Sequence, residues 1–137
     1  METTDLGHWT TILEIPEDFI GFVYEITSPT GRKYIGKKLA RTLKKYKPLK
    51  GQKRSRRIWK NTEWKKYTGS SKELNEDIQK LGKENFSFVI IKFCTSKAEM
   101  AYHETKTIFD RDCLLSDDYY NNIVNIRLNG NCLKRLD

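Results

Sequence analysis

The chain has 137 residues, of which 37% are hydrophobic and 32% charged. That is enough for one domain over residues 1–137 with a modest core. No apolar run is long enough to cross a bilayer. Met1 to Asp5 is not the basic-then-apolar pattern of a secretory leader, so the cytoplasm is the expected compartment. Cys94, Cys113 and Cys132 are odd in number and contain no Cys-x-x-Cys. This argues against a disulfide framework or a zinc cluster and for a reducing environment.

Net charge is +8, and it is unevenly spread. Residues 32–66 hold 16 of the 26 Lys and Arg and one acid, Glu63, for a local charge of +15. The remainder carries −7. Such a division points to a face or arm for a polyanion. Nucleic acid suits it better than a membrane surface, because the stretch lacks a continuous apolar face.

In chain order, Trp9, Ile12, Leu13 and Ile15 are expected to pack on the domain, and Pro16 to mark a turn. Gly21 to Lys38 reads as a hairpin. Phe22, Tyr24 and Ile26 alternate with Val23 and Glu25. Ser28-Pro29-Thr30-Gly31 supplies the turn, and Arg32 to Gly36 the returning strand. Tyr24 and Tyr34 share parity, so both fall on one face. Gly36 is read as ending that strand and permitting close approach of a backbone or phosphate, with Lys37 and Lys38 beside it.

Leu39 to Lys47 is expected as a short helix stopped by Pro48 and Gly51. Residues 41–66 form a basic insertion. In it, Lys53, Arg54, Arg56 and Arg57 flank Trp59, a pairing that grips phosphate and stacks on a base or sugar. Lys38 belongs to the same expected DNA surface. Ser70 and Glu73 form a capping box for a helix bearing Leu74, Ile78 and Leu81, closed by Gly82. Residues 85–94 read as a strand apolar on both faces, with Phe86, Phe88 and Ile90 on one and Val89, Ile91 and Phe93 on the other. It is therefore expected to be central in its sheet. Ser96 and Glu99 cap a third helical segment with Ala98, Ala101, Tyr102, Thr105, Ile108 and Phe109 on one face. Glu104 borders that face. A carboxylate turned inward is costly unless it pairs with a lysine or holds a cation. The Asn-rich tail from Asp118 to Asn125 reads as turns. The fold class is α+β: a small three-stranded antiparallel sheet, a hairpin plus a later central strand, flanked by helices.

Phe22-Val23-Tyr24 and Tyr34-Ile35-Gly36-Lys37 resemble the paired motifs of the GIY-YIG nuclease family. The second motif matches in full. In the first, Phe22 stands where the family has Gly and Val23 where it has Ile. The resemblance extends over Trp64-x-x-Tyr67-x-Gly69-Ser70-Ser71 and the helix of Glu104, and is similar to phage-borne single-domain members. It implies a tyrosine hairpin, a metal-binding glutamate at Glu104, and an asparagine near the end of the catalytic module, at Asn121 or Asn122. It also implies an arginine with a His or Tyr one turn on. Lys44 occupies that spacing, with Arg41 and Tyr46 nearby. Alternatively Arg54 or Arg57 supplies the charge and Tyr67 the second group.

Phosphodiester hydrolysis needs an activated water and charge neutralisation on phosphate and leaving oxygen. Magnesium, with manganese as a substitute, suits a site with one carboxylate, Glu104. Lys37 is expected to lower the pKa of the strand tyrosines. Either Tyr24 or Tyr34 takes the proton while the other orients water, and an arginine stabilises the phosphate. The expected activity is a magnesium-dependent DNA endonuclease. One site cuts one strand, so double-strand cleavage calls for a homodimer or two visits. The alternatives are a non-catalytic nucleic-acid-binding module on the same fold, or a regulatory protein whose basic arm takes an acidic partner.

Overall fold

The computed structural model describes residues 5–124 and Ile126. Cys132 and Asn125 lie outside the described residues. Three antiparallel strands form the main sheet in the order β2-β1-β5. They are β1 (Gly21–Thr27), β2 (Lys33–Leu39) and β5 (Ser87–Cys94). The connection after β2 is a separate two-stranded ribbon of β3 (Arg41–Tyr46) and β4 (Arg56–Asn61). Helix α1 (Lys72–Leu81) precedes β5, and α2 (Lys97–Asp110) follows it.

The β1–β2 turn forms as its residues dictate. The Gly31 amide donates to the Ser28 carbonyl at 2.9 Å, with Gly31 at φ 89°. Across the hairpin Tyr24 pairs with Gly36 and Ile26 with Tyr34, so the two tyrosines share a face. Phe22, Tyr24 and Ile26 bury in one core with Trp9, Trp64, Leu74, Ile78 and Phe88. Val23 and Ile35 bury in a second core with Cys94, Met100, Ile108 and Cys113. Helix α1 thus closes one face of the sheet and α2 the other. Burial also pushes the Cys94 thiol up to about 12, so it behaves as a small core residue.

Several expectations are corrected. The central strand is β1, and β5 lies at an edge. Its two apolar faces are explained by the two cores, and its outer backbone is satisfied by the N-terminal segment. Thr10 donates to the Phe88 carbonyl at 2.9 Å and accepts from the Ile90 amide at 2.8 Å. The register of β5 shifts between Val23 and Tyr24 of its partner. This bulge adds one residue and reverses parity beyond it, so Phe93 joins the same core as Phe88 and Ile90.

Residues 41–46 are a strand rather than a helix, because Arg56–Asn61 pairs with them. Tertiary pairing overrides a weak local helix preference. The N-cap of α1 is Ser71, which accepts the Leu74 amide, not Ser70. Leu81 is exposed, as are Tyr102 and Phe109 on α2. There Met100 takes the buried position. Ile12 and Leu13 are exposed, while Trp9 is buried.

Candidate active site

Gly36 determines where the Tyr24 hydroxyl lies. A Cβ at position 36 would sit 2.3 Å from Tyr24 Oη and 2.5 Å from its Cζ. The phenol therefore crosses β2 over the bare backbone of Gly36. Gly36 does not end the strand. It clears space for a side chain of the neighbouring strand, not for an external backbone or phosphate.

Two more phenols meet Tyr24 there. Tyr34 and Tyr67 each lie with ring centroids 6.1 Å from the Tyr24 ring. The Tyr67 ring stands edge-on to that of Tyr24, with 78° between the ring planes. The Tyr34 hydroxyl is 3.0 Å from Ser70 Oγ. Gly69, at φ 86°, brings the Tyr67–Ser71 segment against Tyr34 and the Tyr24 hydroxyl. His8 Nε2 donates to the Tyr67 carbonyl at 2.9 Å. Burial lowers the His8 pKa to about 4, so the ring is neutral at pH 7.

The outer edge of β2 brings in the carboxylate. The Lys33 amide donates to the Asp118 carbonyl, and the Lys33 carbonyl accepts from the Tyr120 amide. Asn121 then acts as a surrogate peptide. Its Oδ1 accepts the Ile35 amide at 2.9 Å, and its Nδ2 donates to the Ile35 carbonyl at 2.7 Å. At the next outward position Lys37 Nζ lies 3.4 Å from Glu104 Oε1. Glu104 stands one α2 turn before Ile108, which anchors that helix in the second core.

The electrostatics differ from the expectation in one respect. Lys37 does not depress the phenol pKa values. Tyr24 is raised well above the usual value, first by burial and then by Tyr34, Tyr67 and Glu104. Tyr34 is raised by burial and by the Glu104 and Tyr67 charges, with the Ser70 hydrogen bond opposing. Glu104 is itself raised, because burial outweighs the pull of Lys37. The charge of Glu104 thus reaches both strand phenols. The cluster gathers acidic groups in a poorly solvated place with too little positive charge, a condition a divalent cation would reverse. Among the described residues no group of three or more His, Cys, Asp and Glu could hold a metal ion. The available donor is one carboxylate, which fits a hard cation that keeps most of its waters.

The remaining expected site residues divide. Lys38 joins the phenols, with its Nζ 4.4 Å from the Tyr67 ring centroid. Asn121 is buried and pinned to Ile35, so it positions β2 at the wall of the cleft that Tyr34 also lines. Arg41 donates to the Glu17 carbonyl and lies over Phe19. Arg57 is exposed on β4 opposite Lys45. Among the described residues, the ring and hydrogen-bond contacts of Tyr24, Tyr34 and Tyr67 include Lys38 and no arginine. Lys53 and Arg54 are exposed in the ribbon turn, Arg56 faces Tyr46, and Trp59 is 54% exposed. Phe22, in the place of the motif Gly, is fully buried against Trp9 and Trp64, and its ring stands 6.1 Å from that of Tyr24, so that departure packs the core beside the phenol cluster without adding a polar group to it. Ser70 and His8 were not legible as site residues. Ser70 carried a capping signal and a place in the Trp64–Ser71 resemblance but no chemical role, and His8 carried no signal.

A family model described as "Putative endonuclease segE, GIY-YIG domain" matches residues 8–124. No curated protein and no solved structure matches the chain. Among the described residues no helix is long and apolar enough to cross a membrane. The match spans both tyrosine motifs, the ribbon, Glu104 and Asn121, and the chain belongs to the GIY-YIG nuclease family.

Proposed function

We propose that the protein is a divalent-cation-dependent DNA endonuclease, with magnesium as the natural ion and manganese as a substitute. The observation that carries this reading is the position of Glu104. It turns inward from α2 onto Lys37, the outward position of β2 that follows Gly36, where its charge is felt by Tyr24 and Tyr34.

Glu104 would hold the cation, which when bound polarises the scissile phosphate and stabilises the leaving oxygen. The other steps fall to the chain. Tyr34 lines an open cleft of about 440 Å³ with Ser70, Glu73 and Asn122, so its hydroxyl can meet a water. Tyr24 is 1% exposed, and its role is to fix the position of Tyr34 and Tyr67. In the cation-free site neither phenol is a base, since burial and Glu104 both oppose ionisation. Tyr34 orients the water; once a cation neutralises the Glu104 charge, its phenol can release its own proton to solvent, and the phenolate then takes the proton of the attacking water. Lys37 exchanges its Glu104 partner for a phosphate oxygen, and Lys38 supports it. The +15 segment supplies DNA affinity that falls with salt.

That no arginine among the described residues joins the phenol contacts favours a second reading, a binding module without cleavage. One experiment separates them. Supercoiled plasmid is incubated with the wild-type protein, Glu104→Ala and Tyr34→Phe, with magnesium and with chelator. The nuclease reading expects nicking by wild type in magnesium and loss of at least ~100-fold in each variant. Plasmid left intact by wild type, though shifted in a gel, favours the binding module. Equal cutting by all three proteins refutes the assigned site.

A further inference from the structure

We propose that the β3–β4 ribbon enters the major groove of duplex DNA and that Arg57 reads a guanine there. The proposal rests on the DNA reading above but requires no cleavage. Residues 41–61 carry ten Lys and Arg and no acid. None of the ten takes part in an ion pair among the described residues. The ribbon is tied to the domain at its root, where the Thr62 amide and hydroxyl donate to the Ala40 and Leu39 carbonyls. Beyond the root its two strands pair only with each other. An isolated hairpin is marginal in water, and its open edges leave backbone donors and acceptors without strand partners.

A DNA duplex supplies what is missing. Six residue pairs at about 3.4 Å each extend about 20 Å, or some six base pairs of groove. A two-stranded ribbon fits the major groove, about 12 Å wide, and not the minor groove, about 6 Å wide. The deep, narrow major groove of A-form RNA excludes it. Inside the groove both open edges face phosphate walls, and cations on both faces find counter-charges.

The register separates the two faces. Leu43 pairs with Trp59 and Lys45 with Arg57, so these four share one face, and all four are exposed. The opposite face carries Tyr46, with Arg56 at 5.8 Å and Lys60 at 5.7 Å from its ring. Those cations are engaged by the ring. On the first face, beyond the root, Arg57 is the guanidinium left unengaged among the described contacts, and a guanidinium matches guanine O6 and N7 with two hydrogen bonds. Leu43 and Trp59 beside it suit a thymine methyl.

The test is selection of bound duplexes from a randomised pool in chelator, where cutting cannot interfere, followed by sequencing. Wild type is expected to enrich guanine at a fixed position by roughly 10- to 100-fold. Arg57→Lys keeps the charge but not the paired donors, so it should bind the pool with the same salt dependence and lose that enrichment. Methyl green, a major-groove ligand, should displace the wild-type protein where the minor-groove ligand netropsin does not. Enrichment unchanged in Arg57→Lys, a pool without any enriched position, or displacement by netropsin alone would each overturn the proposal. Failure to cleave plasmid in magnesium would refute the nuclease reading and leave these binding results standing.

Discussion

Replacing Gly36 by alanine tests the packing that places Tyr24. The added Cβ would lie 2.3 Å from Tyr24 Oη, 2.5 Å from Cζ and 2.9 Å from Cε1. Carbon contacts settle near 3.5–4.0 Å, so the ring must retreat by at least ~1 Å. It has little room to do so. Tyr24 is 1% exposed, with Trp9 at 4.9 Å and Phe22, Tyr34 and Tyr67 close to 6 Å from its ring centre. Overpacking of this kind costs about 1–3 kcal/mol. The Gly36 backbone is ordinary strand, so the effect is steric and not torsional. A displacement of about 1 Å at the phenols is expected to lower cleavage by ~100-fold. Urea unfolding and plasmid nicking measure the two losses. Tyr24→Phe removes the nearest clashing atom, so the double variant should recover part of the stability lost by Gly36→Ala, with a coupling of about 0.5–3 kcal/mol. A Gly36→Ala protein as stable and active as wild type, or an additive cycle, would refute this reasoning.

Glu104→Gln removes a carboxylate that burial holds above its usual pKa. Such a group binds its proton more readily folded than unfolded, so its ionisation opposes folding above the folded pKa. The variant should melt higher than wild type at pH 7 in chelator, with the difference closing as pH falls toward 4.5. Magnesium should raise the melting temperature of wild type only. Asn121→Ala strips two hydrogen bonds from the buried Ile35 backbone. About 2–4 kcal/mol of stability should be lost in urea unfolding. His8 is held neutral down to about pH 4. A lowered histidine pKa gives stability that is full above about 6.5 and lost as pH falls through 4. His8→Gln should flatten that limb of a melting-temperature profile.

The elements most legible in the sequence were those fixed by near neighbours. The β1–β2 hairpin declared itself through Ser28-Pro29-Thr30-Gly31 and strict alternation, and that was enough to put Tyr24 and Tyr34 on one face. Ser96 and Gly82 marked helix ends by local capping chemistry. What was not legible depends on distant pairing. Arg41–Tyr46 has no strand pattern of its own and becomes a strand because Arg56–Asn61 lies beside it. The β5 bulge, which turns Phe93 to the other core, leaves no mark in residue types. The edge position of β5 was hidden because Thr10 completes its backbone from nearly eighty residues away. The site divided along the same line. Motif spacing exposed Tyr24, Tyr34, Lys37 and Glu104. The tie of Asn121 to Ile35 and the place of Lys38 over Tyr67 required the folded chain. The sequence also suggested that Lys37 would acidify the phenols, yet its ammonium is already committed to Glu104.

The most direct measurement is a kinetic double-mutant cycle on an end-labelled duplex under single turnover in magnesium. It compares wild type, Tyr34→Phe, Glu104→Ala and the pair. Groups that act as one unit are not additive, so each single change should cost at least ~100-fold and the pair scarcely more than the worse of the two. Losses that multiply, or wild-type cleavage that persists in chelator, would contradict a shared cation-dependent site.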